Sequence, residues 1–356
     1  MTDRIYLDWN ATAPLRPEAR AAMIAALNLT GNPSSVHAEG RKARNLIERS
    51  RTSVAELVGC KPSEVVFTSG ATEAASVLRG LAPTYAVCVD ETAHDCLWAH
   101  FDLTATQSGS ATLAMGLANS ETGVITPPAE DDGGGWSYGD IVCNALLVDV
   151  VQAVGRIPWS FAWSGATLAI VSAHKIGGPM GIGALIVREG TDIAALQLGG
   201  GQELGRRSGT ENVAAIAGFG AAAEAALMEL NQNAWSDVEK LRNILEKTLA
   251  SQAKETIFVG NDLERLPNTS CFVSPGWKGV TQVMQMDLAG FAVSSGSACS
   301  SGKVKVPRVL RAMGLSDAQA ECALRVSLGP TTTENDVLRF CDAWLAQERK
   351  VRERAA

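Results

Sequence analysis

The sequence predicts an α/β protein built on a mainly parallel sheet covered by helices. Three observations predict it. Short apolar runs recur along the chain: EVVFT (64–68), YAVCVD (85–90), ALLVDVV (145–151), TLAIVSA (167–173) and GALIVRE (183–189). They are apolar on both faces, as strands buried between two helical layers are. Helical patterns alternate with them, as in TEAASVLRGL after EVVFT, which is the sequence order of an α/β sheet. Finally, polar or glycine-rich turns follow the strands, and ligands in open α/β sheets sit beyond the carboxyl ends of strands.

Bulk properties bound the function. The 356 residues suffice for one large or two ordinary domains. Hydrophobic residues make up 46% and charged residues 19%, a globular balance. A net charge of −7 argues against a general nucleic-acid binder. No run reaches the roughly 18 apolar residues of a membrane span, and MTDRIYLDWN lacks the basic and apolar parts of a secretory signal. Eight cysteines occur with no C-x-x-C pair and only four histidines, so a structural zinc site is not expected. Their scatter suits a reducing cytosol with most thiols packed, and a cytoplasmic protein is expected, with no membrane or direct nucleic-acid partner.

From Glu211 to about Ser251 the pattern is helical, with a break near NQNAW. A second, smaller domain begins there and holds strands near TSCFVS (269–274) and LRVSLG (324–329). PPAEDDGGGW (127–136) reads as a turn-rich surface loop. Two apparent phosphate motifs fail. GSACSSGK has five residues between its glycines instead of the four of a P-loop, and Val304 stands where Ser or Thr belongs. GFGAAA (218–223) lies inside a helical run and follows no strand.

The polar residues at strand ends carry the chemistry. In SGATE (69–73) a strand ends and a helix begins at about Thr72, which is either an ordinary helix cap or a phosphate cradle of free N–H groups with a hydroxyl at hand. VDVVQ ends a strand with Asp149 and Gln152, the Asp facing a ligand or making a structural hydrogen bond. Lys175, in VSAHKIGGPMGIG, follows an apolar strand and precedes a Gly/Pro-rich turn. Shielding an amine there makes it a good carbonyl nucleophile, whereas a solvated loop lysine is the plainer reading. Anion site, carboxylate and lysine appear in order on successive strand ends. Pyridoxal 5'-phosphate needs this set: a phosphate site, a carboxylate for its ring nitrogen and a lysine for its aldehyde. His94, after YAVCVD, suits stacking on the ring and proton movement, or is a helix-start histidine. Asn119, in ANSETG, suits a hydrogen bond to the ring oxygen or the substrate, or is a turn asparagine. His100 reads as structural. Arg325 and Ser327 share one face of the alternating LRVSLG, and an arginine fork binds a carboxylate, of a ligand or of a salt bridge. Cys299 lies in VSSGSACSSGK, with nothing apolar beside it to bury it.

Taken together, YLDWNATAP, GNPSSVHAEGRKAR, FTSGATEA, ANSETG, DVVQAVG, SAHKIGGPMGIGAL, GGGQELGRRSGTEN, SSGSACSSG and LRVSLG resemble the cysteine desulfurases of the NifS/IscS type, among the class V aminotransferase-like enzymes. The resemblance covers nearly the whole chain. It implies the fold type I of pyridoxal-phosphate-dependent transferases, with a large domain over 15–235 around a mainly parallel seven-stranded sheet. A smaller α+β domain would comprise 1–14 and 236–356 and carry the cysteine loop. Lys175 would bond the cofactor aldehyde, Asp149 would pair with the ring nitrogen and Gln152 with the ring oxygen, and His94 would stack on the ring. Ala71, Thr72, Ser172 and His174 would hold the phosphate. Thr210 would reach the phosphate of the other subunit, which implies a homodimer. Asn119 and Arg325 would hold the substrate carboxylate, with Asn10 and Asn32 near the site.

The implied activity removes sulfur from L-cysteine, leaving L-alanine and a persulfide on Cys299 that passes to an acceptor protein, such as an iron–sulfur scaffold or a tRNA-modification protein. No resident metal is implied; Cys299 is a cluster ligand only in a complex, if at all. A Ser/Gly loop that swings between the cofactor and a partner fits that task, and Lys303 and Lys305 favour the thiolate. The rivals are another lyase or transaminase on the same scaffold, such as a selenocysteine lyase, and a weakly active sulfur-delivery subunit. Three segments depart from the family pattern: Ser120 and Thr122 in ANSETG, where Asn and Ile are common; Leu204, where Arg is common; and PPAEDDGGGWSYGD, where a helix normally covers the sheet.

Overall fold

In the computed structural model the described residues are 4–81, 86–103, 111–130, 134–296 and 308–355. Cys299, Lys303 and Lys305 lie outside them, and with them the expectation of a swinging loop. The chain divides into two units, one of Ala13–Ala118 with Thr126–Gln232 and one of Met1–Thr12, Asn119–Ile125 and Asn233–Ala356.

The larger unit is organised by one sheet of six strands among the described residues, where seven were expected. Their order is Val65–Thr68, Gly183–Val187, Leu168–Ser172, Ala145–Asp149, Ala111–Gly116, Ala86–Val89. Gly183–Val187 runs antiparallel to both neighbours, and the other pairings are parallel. Most of the strand residues are buried, as the two-sided apolar runs require. Ala111–Gly116 has no marked signal in the sequence. ATLAMG is poor in β-branched and aromatic residues, and its place between two strong strands makes it extended.

Three helices, Pro17–Leu27, Ala38–Val58 and Val213–Asn231, belong to this unit. GFGAAA is thereby explained as helix packing. A Cβ on Gly220 would lie 2.6 Å from the Cβ of Ser50, so the small residue lets the last two helices touch. Helix Val213–Asn231 is long and apolar enough by composition to cross a membrane, but half of it is buried inside the unit, as core helices are. Asn233 in the left-handed region (φ 55°) separates it from Ala234–Gln252, matching the break read at NQNAW.

A hairpin begins at Trp136, the last residue of the segment read as a turn-rich surface loop. Trp136–Tyr138 pairs antiparallel with Ile141–Cys143. The two-residue turn places Gly139 at φ 55°, as a tight hairpin turn requires of its first residue. Short strands stand where the resemblance implies a covering helix.

In the smaller unit, Ile257–Phe258, Thr269–Val273 and Ala323–Ser327 form an antiparallel sheet. Its core gathers Phe272, Trp277 and Trp344, with Phe272 edge-on to Trp344 at 5.4 Å. Residues 119–125 belong here because their backbone is tied in. Leu266 N–H donates to Gly123 O at 2.8 Å and Ile125 N–H to Glu264 O at 2.9 Å.

Candidate active site

In the larger unit the strand register brings the predicted residues to one edge of the sheet. Gly183 is the cross-strand partner of both Thr68 and Ser172. The SGAT turn and the SAHK turn therefore leave the sheet on either side of one glycine. A Cβ on Gly183 would lie 2.8 Å from Gly70 Cα, so the missing side chain is what admits the SGAT turn. Helix Ala71–Ala75 follows directly, with Thr72 exposed. Glu73 folds back to accept from Ser69 N–H at 2.6 Å and pairs with Arg207 at 2.9 Å. Although burial opposes it, these donors hold its carboxyl below its ordinary pKa.

Asp149 closes the strand next to Leu168–Ser172. It is buried, and one oxygen accepts from Val151 N–H at 2.9 Å. Burial raises its pKa, while that hydrogen bond and the charges of His94 and Lys175 pull it back down. Those two side chains thus lie within electrostatic reach of the carboxylate. His94 caps helix Asp95–Trp98, its Nδ1 accepting from Cys96 N–H at 3.1 Å. A neutral ring in that arrangement carries its proton on Nε2. Lys175 ends a single turn of 3₁₀ helix after Leu168–Ser172. The turn after it is clamped by Arg16, whose Nε donates to Ile176 O at 2.7 Å while its fork grips Glu229. His174 is held neutral, its pKa lowered to about 4 by burial and then by the charges of Lys175 and Arg156.

Gln152 and Arg156 were not linked by the sequence reading. Arg156 is buried, donates from Nη1 to Gln152 Oε1 at 2.6 Å, and from Nη2 to Lys175 O at 3.3 Å. The spacing of four in DVVQAVGR was the available signal. Thr210 is exposed, on the loop that Arg207 ties to Glu73. Asn32 is exposed in an Asx turn, its Oδ1 accepting from Ser34 N–H at 2.9 Å.

In the smaller unit, Arg325 is buried and each arm of its fork makes a contact from within. Nη2 pairs with Asp8 Oδ1 at 2.7 Å and Nη1 donates to Ser120 O at 3.0 Å. Its Nε is buried with no acceptor among the described residues. Ser294 Oγ donates to the other Asp8 oxygen at 2.7 Å. Asn10 donates to Ser120 O at 3.1 Å and Thr269 Oγ1 at 2.9 Å, and accepts from Asn268 at 3.1 Å. Its carboxamide therefore holds protein together at both ends. The Oδ1 of Asn119 accepts from the N–H groups of Glu121 and Thr122 at 2.9 Å and from Thr122 Oγ1 at 3.2 Å, which turns its NH₂ end the other way.

Two family departures acquire a physical reading here. Ser120 accepts from Asn10 and Arg325 through its backbone carbonyl, a group that asparagine would supply equally. Thr122, in place of isoleucine, adds a third donor to Asn119. Leu204 sits in the left-handed region (φ 58°) and is 80% exposed.

Comparison with known proteins agrees with this geometry. The family model described as aminotransferase class-V matches residues 5–99 and 102–340. A cysteine desulfurase of Cereibacter sphaeroides is 36% identical, over 96% of this chain and 94% of the relative. An IscS-like cysteine desulfurase of Mycobacterium tuberculosis is 34% identical, over 93% of each. The solved NifS-like protein of Rickettsia africae superposes with a TM-score of 0.84 at 30% identity, covering 98% of this chain and 99% of that one.

The cofactor of this family is pyridoxal 5'-phosphate, and the larger unit's residues fit it. A buried carboxylate whose pKa burial raises is matched by a protonated ring nitrogen. Gln152 has its oxygen on Arg156, so its NH₂ end is the one that would serve the ring oxygen. Neutral His174 and the hydroxyls of Thr72 and Ser172 are donors suited to a phosphate, and Lys175 is an amine for the aldehyde. The chain belongs to the class V aminotransferase family, on its NifS/IscS-like branch.

Proposed function

We propose that this protein is a cysteine desulfurase: it converts L-cysteine to L-alanine and keeps the sulfur as a persulfide on Cys299 for delivery to an acceptor. The observation that carries the reading is Asp149, a buried carboxylate at a strand end with His94 and Lys175 within reach of its charge.

Bound pyridoxal phosphate supplies the electron sink for bond breaking at Cα and Cβ of the amino acid. The protein does the rest. Asp149 holds the ring-nitrogen proton by charge, in a pocket dry enough to make that pairing strong. Lys175 would anchor the cofactor by its aldehyde and, as a free amine, would take the Cα proton on Nζ. His94, its Nδ1 held by the Cys96 N–H, stacks on the ring and moves protons through Nε2. Ala71, Thr72, Ser172 and His174 hold the phosphate. Arg325 and the NH₂ end of Asn119 bind the substrate carboxylate, while Asn10 positions the Ser120 carbonyl that steadies Arg325. Cys299, as thiolate, attacks the substrate sulfur. The Cβ–S bond breaks, its electron pair leaves with the alanine portion, and the S–S bond of the persulfide forms.

The working form is a cytoplasmic homodimer, with Thr210 of one subunit reaching the phosphate site of the other. The recipient of sulfur is a protein, such as an iron–sulfur scaffold. Incubation with L-cysteine and a reductant tests the activity, following alanine and sulfide. Wild type produces both. Cys299→Ala keeps the cofactor colour and makes neither catalytically, and full turnover in that variant refutes the assignment. Lys175→Ala loses the visible absorption of the lysine-bound cofactor, and an unchanged spectrum refutes that role.

A further inference from the structure

We propose that Arg156 is a positioning residue for the cofactor site: one buried guanidinium that sets the orientation of the Gln152 carboxamide and the backbone at Lys175. Arg156 is 2% exposed, so its guanidinium lies among protein groups and not in water. The chain after strand Ala145–Asp149 turns tightly, with Val154 N–H donating to Val150 O and Arg156 N–H to Ala153 O. This brings side chains four apart together, as one turn of helix does. Nη1 then donates to Gln152 Oε1 at 2.6 Å, a charge-assisted contact in a buried setting.

That contact decides which end of an amide faces which way. A guanidinium has only donors, so it takes the carboxamide oxygen and turns the NH₂ group elsewhere. The ring oxygen of pyridoxal phosphate accepts hydrogen bonds, and the NH₂ end is the one that suits it. A second prong, Nη2 to Lys175 O at 3.3 Å, reaches the backbone of the residue that bonds the aldehyde. The same charge helps keep His174 in its neutral, N–H-donating form. Three residues of the cofactor set thus depend on one side chain. Lysine cannot replace it, because an ammonium offers a point charge and lacks a planar fork.

The inference rests on the reading that Gln152 and Lys175 face the cofactor. Arg156→Gln, Arg156→Lys, Gln152→Ala and the double variant Arg156→Gln/Gln152→Ala are purified as holoenzymes. Absorption maximum, affinity for pyridoxal phosphate on reconstitution and melting temperature are measured. Arg156→Gln is expected to shift the maximum and weaken cofactor binding about tenfold, the loss of one charge-assisted hydrogen bond. Arg156→Lys is expected to melt near wild type yet keep the shifted maximum. Gln152→Ala is expected to shift it likewise, with no further shift in the double variant. A wild-type maximum and affinity in Arg156→Lys overturn the proposal, as do additive shifts in the double variant. If Arg156→Gln does not fold, Arg156→Lys alone decides. Failure of the underlying reading shows separately, as a lysine-bound cofactor spectrum that survives Lys175→Ala. Absence of alanine production touches the desulfurase reading and leaves the spectral test standing.

Discussion

Arg325 and Asp8 form an ion pair of 2.7 Å within the smaller unit, between side chains 5% and 15% exposed. Ser294 holds the second oxygen of Asp8 and the Ser120 carbonyl holds the other arm of Arg325. The arginine is therefore fixed in place by the protein before any substrate carboxylate arrives, which reduces the ordering cost of binding. Asp8→Asn keeps an acceptor and removes the charge. It is expected to raise KM for L-cysteine about tenfold, with a smaller change in kcat, as lost ground-state binding does. Asp8→Ala leaves a buried arginine unpaired and is expected to cost about 3–5 kcal/mol of stability. Steady-state kinetics and urea unfolding check the two outcomes; an unchanged KM in Asp8→Asn would show that Asp8 does not serve the carboxylate site.

A second buried pair ties a loop to the sheet in the larger unit. Arg51 donates to both oxygens of Glu203, at 2.7 and 2.8 Å. Glu203 also accepts from Phe67 N–H at 2.9 Å on the edge strand, and lies in the left-handed region at φ 50°. Glu203→Ala is expected to destabilise the protein by about 3 kcal/mol, because it leaves a buried guanidinium with only the more exposed Glu48 as its ionic partner. Glu203→Gln is expected to lose less. Denaturant midpoints decide, and a change in Glu203→Ala of the size typical of surface sites would refute the pairing's weight.

His174 predicts an acid limb in the stability of the cofactor-free protein. Its pKa is lowered from 6.5 to about 4 in the folded state. Above pH 6.5 neither folded nor unfolded chain protonates this ring, so it costs nothing. As pH falls from 6.5 toward 4 the unfolded chain takes up the proton first, and stability declines. His174→Gln removes that slope. Urea midpoints at pH 7.5 and 5 measure it, and equal pH dependence in wild type and variant would exclude His174 as the source.

Thr122 is wholly buried and gives Asn119 its third donor. Thr122→Val keeps the shape and removes the hydroxyl. The hydroxyl also accepts from Val124 N–H at 3.3 Å; the loss of its hydrogen bond to Asn119, about 1 kcal/mol, is expected to lower kcat/KM for L-cysteine about fivefold, with cofactor content unchanged. An unaltered kcat/KM would mean that the two backbone donors from Glu121 and Thr122 suffice to orient Asn119.

The strands buried on both faces, the strand-end positions of Asp149 and Lys175, and the shared face of Arg325 and Ser327 were legible in local sequence. Each rests on periodicity or on a turn signal within a few residues, and such preferences act before the chain closes on itself. The break at Asn233 was legible for the same reason. The strand Ala111–Gly116 was not, since its residues have little extended preference of their own and its neighbours impose the conformation. Nor was the hairpin at 136–143, whose strands are only three residues each.

The side chains that discipline the site were invisible for a different reason. Asp8 and Arg325 are 317 positions apart, and Arg51 and Glu203 are 152 apart. No local pattern specifies such a partner. The sequence by itself determined the class of fold and the kinds of chemical group at the strand ends. Only the tertiary structure decided which charge neutralises which, that Arg156 faces Gln152 and Lys175, and that Asn10 is consumed in holding the protein. Burial made those choices, because a charge or amide removed from water must find its partners wherever the topology brings them.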